Sequence, residues 1–234
     1  MKCLSIYKIA LLFLLLLTQM IWSCNRTEPK EAPISKKSEP ATVATGTIVA
    51  MGDSLTAGYH LSPADAYPAI LQKLLKKKGV SYRVINAGIS GETSSGALTR
   101  VEWVLTIQPD IIILETGAND GLRGIDPEIT QSNIEKIVAF FQVKKVKVLL
   151  TGMRMTPNLG IKFTREFAQI YKDTARKYDL ILMPFFLKDV AGKPQLNLPD
   201  GIHPTKEGYQ IIARNLLPYV IKAIDQREKT DARD

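Results

Sequence analysis

Short apolar runs alternate with amphipathic segments along most of the chain. The β-branched run Asp110–Glu115 is typical of a strand buried on both faces, as in a parallel sheet. The segment Ala66–Gly79 instead carries Ile70 and Leu74 at helical spacing and ends at a glycine. Because no hairpin signal separates the strand-like runs, the pattern predicts an α/β fold, a three-layer α/β/α sandwich on a five-stranded parallel sheet.

Strands and helices are predicted to alternate from Gly46 onward. The strands are predicted at Thr47–Met51, Tyr82–Asn86, Asp110–Glu115, Val146–Thr151 and Leu180–Met183. The helices are predicted at Ala66–Gly79, Thr93–Ile107, Pro127–Val143, Thr164–Tyr178 and Thr205–Ile224. In such sheets ligands bind beyond the carboxyl ends of the strands, so the residues directly after the strands are the functional candidates.

The N-terminal part of the chain differs in composition from the rest. Residues 1–23 have the layout of a secretory signal: a basic start, a short apolar core and a small residue before Cys24. Residues 24–45 are rich in Lys, Glu, Pro, Ser and Thr, which predicts a flexible tether. We expect the folded domain at 46–224, followed by a charged tail at 225–234.

The sequence around Cys24 suggests how the domain is held. Ile21-Trp22-Ser23-Cys24 resembles the lipobox of bacterial lipoproteins, in which the cysteine is lipidated and becomes the new N-terminus. Cleavage without lipid and an uncleaved anchor are the alternatives. All three place the domain outside the cytoplasm. We expect an exported lipoprotein, periplasmic-facing or on the surface, attached to a membrane through Cys24.

Charge and cysteine content exclude several classes of function. The formal net charge is +8, and Lys2 and Lys8 lie in the leader, so 8 − 2 = 6 remains after its removal. The cations are not interleaved with aromatic residues, so no nucleic-acid partner is expected. Cys3 and Cys24 are the only cysteines. The domain therefore has neither a disulfide framework nor a cysteine-based metal site.

A serine and a distant histidine are the candidates for chemistry. Ser54 ends the apolar run of the first strand, and a serine hydroxyl needs a base before it becomes a nucleophile. The chain has two histidines, and His203 has Asp200 three residues before it to orient its ring. His60 has no comparable acid beside it and is interpreted as a surface or groove residue. The alternatives are that Ser54 is an ordinary N-cap serine, and that Asp200 and His203 cap the last helix.

Stabilisation of an oxyanion would require hydrogen-bond donors close to Ser54. The candidates are the backbone N–H groups of Ser54 and Gly91 and the side-chain amide of Asn119, which all lie after predicted strands. Ordinary turn chemistry is the alternative for each loop, because Gly, Asn and Asp are common in βα turns.

Four motifs occur in a fixed order. They are Gly52-Asp53-Ser54-Leu55, Gly91, Gly117-Ala118-Asn119-Asp120 and Asp200-Gly201-Ile202-His203. Together they resemble the sequence blocks of the SGNH (GDSL) hydrolase superfamily, and the likeness covers Ile48 to Ile224. The chain resembles in particular the bacterial multifunctional esterases described as thioesterase I, lysophospholipase or arylesterase. It departs from thioesterase I at Gly88, where that enzyme has a serine.

The resemblance implies a fold and a mechanism. It implies a flavodoxin-like SGNH hydrolase fold with Ser54 as nucleophile, His203 as base and Asp200 as its orienter. It also implies that Ser54, Gly91 and Asn119 donate to the oxyanion, with no metal and no cofactor. We therefore expect an exported serine esterase acting on small-molecule or lipid esters, of the lysophospholipid, aryl ester or acyl-thioester type, through an acyl-enzyme.

Two alternatives to this function stay open. One is a carbohydrate O-deacetylase on the same fold, and the other is a lipoprotein that only binds lipid or glycan. A set of apolar residues after strands three and four could line an acyl groove, or could pack beneath the loops: Leu122, Ile125, Met153, Met155 and Leu159.

Overall fold

The computed structural model describes residues 44–231. The predicted signal segment, most of the predicted tether and Cys24 lie outside the described residues. Five strands form one sheet, and each apolar run of the sequence analysis contributes one of them. Their bounds are β1 Gly46–Gly52, β2 Tyr82–Gly88, β3 Ile111–Glu115, β4 Lys147–Thr151 and β5 Ile181–Met183.

Helices connect these strands. Their bounds are α1 Ser54–Ala57, α2 Tyr67–Lys77, α3 Ser94–Thr99, α4 Val101–Thr106, α5 Ala118–Leu122, α6 Pro127–Val143, α7 Ile161–Lys177 and α8 Lys206–Asp231. Single 3-10 turns occur at Pro63–Asp65, Pro157–Leu159 and Pro194–Leu196. The short helices α1 and α5 and these turns were not predicted, because each is too short to show a period.

All strand pairs are parallel, and the order across the sheet is β2-β1-β3-β4-β5. Every residue of β3 is buried, as expected for a strand covered on both faces. Helices α2 and α8 pack against each other, whereas α6 packs against α3, α4 and α7. The predicted three-layer α/β/α sandwich with a five-stranded parallel sheet is confirmed.

The strand order places a crevice beside β1. The strand that follows β1 in the chain, β2, pairs with one side of β1, and β3 pairs with the other side of β1. The connections that leave β1 and β3 therefore diverge at the carboxyl end of the sheet, which is where ligands bind in open α/β sheets. Asp53 follows β1 and Thr116 follows β3 at this point.

Two predicted helices differ markedly from the observed ones, whereas the bounds of the others shift by about three residues at most. The helix predicted at Thr93–Ile107 is broken at Arg100, whose partly buried side chain turns toward Glu92 and the carbonyl of Gly52. The last helix continues to Asp231 rather than ending at Ile224, so much of the predicted charged tail is helical. Its Lys, Glu, Gln and Arg residues favour helix, and Arg227 contacts Asp110 at 3.4 Å.

Candidate active site

The end of β1 presents Ser54 at the crevice. Asp53, not Ser54, caps helix α1, and its Oδ1 accepts a hydrogen bond from the N–H of Leu55 at 2.9 Å. Ser54 is the first residue of α1, and its hydroxyl is free to point away from the helix. The alternative interpretation of Ser54 as a helix cap is therefore wrong.

Ser54, His203 and Asp200 form a hydrogen-bonded chain. The Nε2 atom of His203 lies 2.9 Å from Oγ of Ser54, and its Nδ1 atom lies 2.7 Å from Oδ2 of Asp200. Because an ionised carboxylate can only accept, Nδ1 carries the hydrogen toward Asp200. That tautomer leaves the lone pair of Nε2 facing the serine hydroxyl.

Several contacts keep Asp200 ionised. Partial burial alone would raise the pKa of its carboxyl group. The hydrogen bonds that it accepts from the backbone and ring of His203 and from the backbone of Ile202, with the charge of His203, lower the pKa to about 2. Oδ1 accepts the N–H groups of Ile202 at 2.8 Å and His203 at 3.0 Å. The same carboxylate therefore shapes the loop and orients the ring.

This loop does not cap the last helix. Helix α8 begins at Lys206, and the hydroxyl of Thr205 accepts from the N–H of Gly208 at 3.3 Å. The loop is closed on itself by a hydrogen bond of 2.7 Å from the N–H of Leu198 to the carbonyl of His203. The alternative interpretation of Asp200 and His203 as caps is therefore wrong.

The three candidate oxyanion donors lie on neighbouring segments: Ser54 at the start of α1, Gly91 in the loop after β2 and Asn119 in α5. The Asn119 side-chain nitrogen donates to the carbonyl of Glu92 at 3.0 Å and to Oδ2 of Asp53 at 3.2 Å. Gly91 has φ of +80°, and its carbonyl accepts from Arg123 at 2.9 Å. Within residues 44–231 the backbone N–H groups of Ser54 and Gly91 donate to no protein acceptor, so both are available to a ligand.

An aromatic side chain that the sequence did not single out packs on the histidine. The ring of Tyr59 lies 4.4 Å from that of His203 and 4.0 Å from that of His60, centroid to centroid. His60 itself is exposed, in agreement with its interpretation as a surface or groove residue. No sequence signal marks Tyr59, because its role depends on how the loop after α1 folds back toward His203.

Buried ionisable side chains behind the site were also missed. Glu115, at the end of β3, is fully buried and contacts the backbone of Asp53. Glu92 forms two hydrogen bonds of 2.6 Å with Arg100. The charged residue at the end of an otherwise apolar strand was a signal for Glu115. Nothing in the sequence pairs Glu92 with Arg100.

The five apolar residues that follow β3 and β4 were expected either to line an acyl groove or to pack beneath the loops. Met153 is buried in the core and does not line a groove, whereas Leu122 is 49 % exposed. Met155 is partly buried against the core and lies close to Gly121. The set is therefore divided between the packing role and the surface of the site.

Two further properties concern the described part of the chain as a whole. Across residues 44–231, no group of three or more His, Cys, Asp or Glu side chains is arranged to hold a metal ion. Over the same residues, no helix combines the length and the apolar character needed to span a membrane.

Comparisons with known proteins identify the family of the chain. The chain is 35 % identical to the arylesterase of Vibrio mimicus over 183 residues, covering 78 % of this chain and 92 % of that protein. It is 37 % identical over 171 residues to thioesterase 1/protease 1/lysophospholipase L1 of Escherichia coli K12, covering 73 % and 81 %. The crystal structure of TesA superposes with a TM-score of 0.73 at 35 % identity, covering 76 % of this chain and 99 % of that one. The family model that matches residues 50–211 is that of the GDSL-like lipase/acylhydrolases, and the chain belongs to this family.

Proposed function

We propose that this protein is an exported serine esterase that hydrolyses acyl esters or thioesters through an acyl-enzyme on Ser54. The protein is a carboxylic ester hydrolase of the SGNH family, as are its named relatives. The observation that carries the finer proposal is the distance of 2.9 Å from Nε2 of His203 to Oγ of Ser54, with Asp200 on the other ring nitrogen. This is the geometry that a serine needs to become a nucleophile.

The first half of the reaction forms the acyl-enzyme. His203 takes the hydroxyl proton of Ser54 as Oγ attacks the ester carbonyl, and a new C–O bond forms while the carbonyl becomes an oxyanion. The intermediate collapses when the alcohol or thiol leaves and takes the proton from His203. Asp200 stays ionised throughout, because the pKa of its carboxyl group is about 2.

The second half restores the enzyme. Water gives one proton to His203 and attacks the acyl carbon, and Ser54 leaves with that proton when the second tetrahedral intermediate collapses. In both halves the oxyanion accepts from the backbone N–H groups of Ser54 and Gly91 and from the amide of Asn119. Each such donor is worth about 10²–10³ in kcat in enzymes of this kind.

Apolar side chains around the site favour an acyl chain over an acetylated sugar. Four exposed residues come from the four segments that carry the site: Tyr59, Ile89, Leu122 and Ile202. Exposed apolar surface that is grouped around a site marks a place where an apolar ligand binds. We expect Leu122→Ser to lower kcat/KM more for long than for short acyl chains, whereas Val143→Ser, at the end of α6, should have no effect.

The assignment of Ser54 is tested by substitution and labelling. Ser54→Ala should abolish hydrolysis of p-nitrophenyl acyl esters and labelling by a fluorophosphonate probe, and circular dichroism should show that the fold is intact. Ser90→Ala is the matched control, because Ser90 is exposed in a neighbouring loop. Turnover retained by Ser54→Ala would refute the assignment. A mere lipid or glycan binder would show no adduct on the wild-type protein.

Export and lipidation are supported by the sequence of residues 1–24 and have their own test. We expect wild-type protein to fractionate with membranes, and its N-terminal peptide to begin at a lipid-modified Cys24 by mass spectrometry. Cys24→Ala should lose the lipid, whereas Cys3→Ala, the control with the other cysteine, should not. An unmodified N-terminus at Cys24, or a leader that stays uncleaved, would contradict this part of the proposal.

A further inference from the structure

Two carboxyl groups lie together beneath the turn that carries Ser54. The side chain of Asp53 is 1 % exposed and that of Glu115 is fully buried. Oε2 of Glu115 accepts from the hydroxyl of Thr56 at 2.9 Å and from the N–H of Asp53 at 3.3 Å. The two buried carboxyl groups are therefore neighbours. Two adjacent carboxyl groups that are both buried disfavour each other's charge, so one of them holds a proton.

The hydrogen-bond partners assign that proton to Glu115. Both oxygens of Asp53 accept from protein groups, Oδ1 from Leu55 and Oδ2 from Asn119. Within the described chain Oε1 of Glu115 has no hydrogen-bond donor, although it is buried. An ionised Glu115 would leave this oxygen without a partner, whereas a neutral Glu115 can donate from it.

The electrostatics of the pair agree with this assignment. Burial, and then the charge of Asp53, raise the pKa of Glu115 well above its usual range. Burial also raises the pKa of Asp53, but hydrogen bonds from Leu55, Glu115 and Asn119 and the charge of His203 oppose it, and the result is about 6. At neutral pH Asp53 is therefore the anion and Glu115 the acid.

The packing around Glu115 leaves little freedom for its carboxyl group. A Cβ atom at Gly52 would lie 2.6 Å from Oε2 of Glu115 and 2.2 Å from the hydroxyl oxygen of Thr56. Gly52 is therefore required for these side chains to approach the backbone before Ser54. The carboxyl group of Glu115 is therefore held between the turn that carries Ser54 and the carboxylate of Asp53, which contacts Asn119.

We infer that Glu115 is a positioning residue: as a neutral acid it donates to Asp53, and Asp53 in turn holds the Asn119 amide where it can donate to the oxyanion. This inference rests on the proposed function. The Asn119 amide donates to the carbonyl of Glu92 at 3.0 Å and to Asp53 at 3.2 Å. In the proposed reaction, the hydrogen directed to Asp53 is the one that the oxyanion shares. The proton on Glu115 also keeps a second negative charge away from the place where the oxyanion forms.

Kinetics of two Glu115 variants test the inference. Glu115→Gln keeps a donor toward Asp53 and an acceptor for Thr56, so its kcat should stay within about threefold of wild type. Glu115→Leu removes both and should lower kcat about 10–100-fold with little change in KM. The Asn119 amide would be displaced from the oxyanion but still present. In an Asn119→Ala background, Glu115→Leu should lower kcat by less than about threefold further. Equal loss in both Glu115 variants, or full multiplication with Asn119→Ala, would overturn the inference.

A measurement on the isosteric variant covers the case in which Glu115→Leu does not fold. At about pH 8 exposed carboxyl groups are ionised, so the infrared carbonyl band of a neutral carboxylic acid should come from Glu115. Wild type should show the band and Glu115→Gln should lack it, and a wild-type spectrum without it would overturn the inference.

Ser54→Ala, assayed in parallel, separates the proposed function from the role of Glu115. If Ser54→Ala stays active, the proposed function fails. If it is inactive while Glu115→Leu keeps full kcat, only the role of Glu115 fails.

Discussion

Gly88 ends β2 directly beside the helix that carries Ser54, and a serine at this position should disturb that helix. A Cβ atom at Gly88 would lie 2.2 Å from the backbone nitrogen of Ala57 and 2.7 Å from its Cα. Ordinary contact begins at 3.4 Å, so the two backbones must separate by 3.4 − 2.2 = 1.2 Å. The obstacle is backbone rather than a flexible side chain, so it cannot be relieved by a rotamer change.

Two effects of Gly88→Ser follow from this displacement. Overpacking of this kind costs about 1–3 kcal/mol of unfolding free energy, and each kcal/mol lowers Tm by about 2–4 °C in a domain of this size. Ala57 lies three residues after Ser54 in the same helix, and a misplacement of about 1 Å at a reacting group can cost about 10²-fold in rate. We therefore expect a lower Tm and a kcat reduced about 10–100-fold.

Thermal unfolding and p-nitrophenyl ester kinetics measure both effects on the same preparation. Ser90→Thr is the control, because it adds a methyl group at an exposed position of the loop that follows Gly88. It should change Tm and kcat little. A Gly88→Ser variant with wild-type Tm and wild-type kcat would refute the reasoning, since it would mean that α1 and β2 separate without cost.

Three other substitutions probe the site and its support. Asp200→Asn should lower kcat by about 10²–10⁴, measured by steady-state kinetics, because Nδ1 of His203 loses the acceptor that sets its tautomer. The depressed pKa of Asp200 stabilises the native state above about pH 4, and this contribution is lost as pH falls toward 2, so acid unfolding curves of wild type and Asp200→Asn should converge there. Asn119→Ala should lower kcat about 10²–10³-fold and leave KM nearly unchanged, and an unchanged kcat would remove Asn119 from the oxyanion site. Arg100→Ala leaves the carboxylate of Glu92, only 6 % exposed, without its partner, so urea unfolding should show a loss of about 3–5 kcal/mol, and a loss below 1 kcal/mol would contradict a buried pair.

The sequence predicted the parts of this molecule that depend on local patterns. The β-branched run of β3 identified a strand buried on both faces, and its parallel neighbours followed from the alternation of strands and helices. The motif residues lay directly after strands, which placed Ser54 and Asn119 at one edge of the sheet. Their contacts with His203 and Glu92 agree with that expectation.

Features that depend on tertiary contacts were not predictable. The break at Arg100 interrupts an otherwise continuous helical pattern because its guanidinium contacts Glu92, whose pairing no spacing rule indicates. The contact between Tyr59 and His203 depends on the fold of a loop. The pairing of Glu115 with Asp53 joins residues 62 positions apart in the sequence. In each case the feature depends on a contact between segments that are distant in the sequence, and no pattern within one segment indicates it.

The most direct test of the central claim is to trap the acyl-enzyme and locate it. Wild-type protein mixed rapidly with a p-nitrophenyl acyl ester and quenched in acid should release a burst of p-nitrophenol that is stoichiometric with enzyme. Mass spectrometry of the digest should then find the acyl group on Ser54, at a yield that falls strongly in His203→Ala. Turnover of the ester with no acyl group on Ser54, or with the acyl group on another residue, would contradict the account.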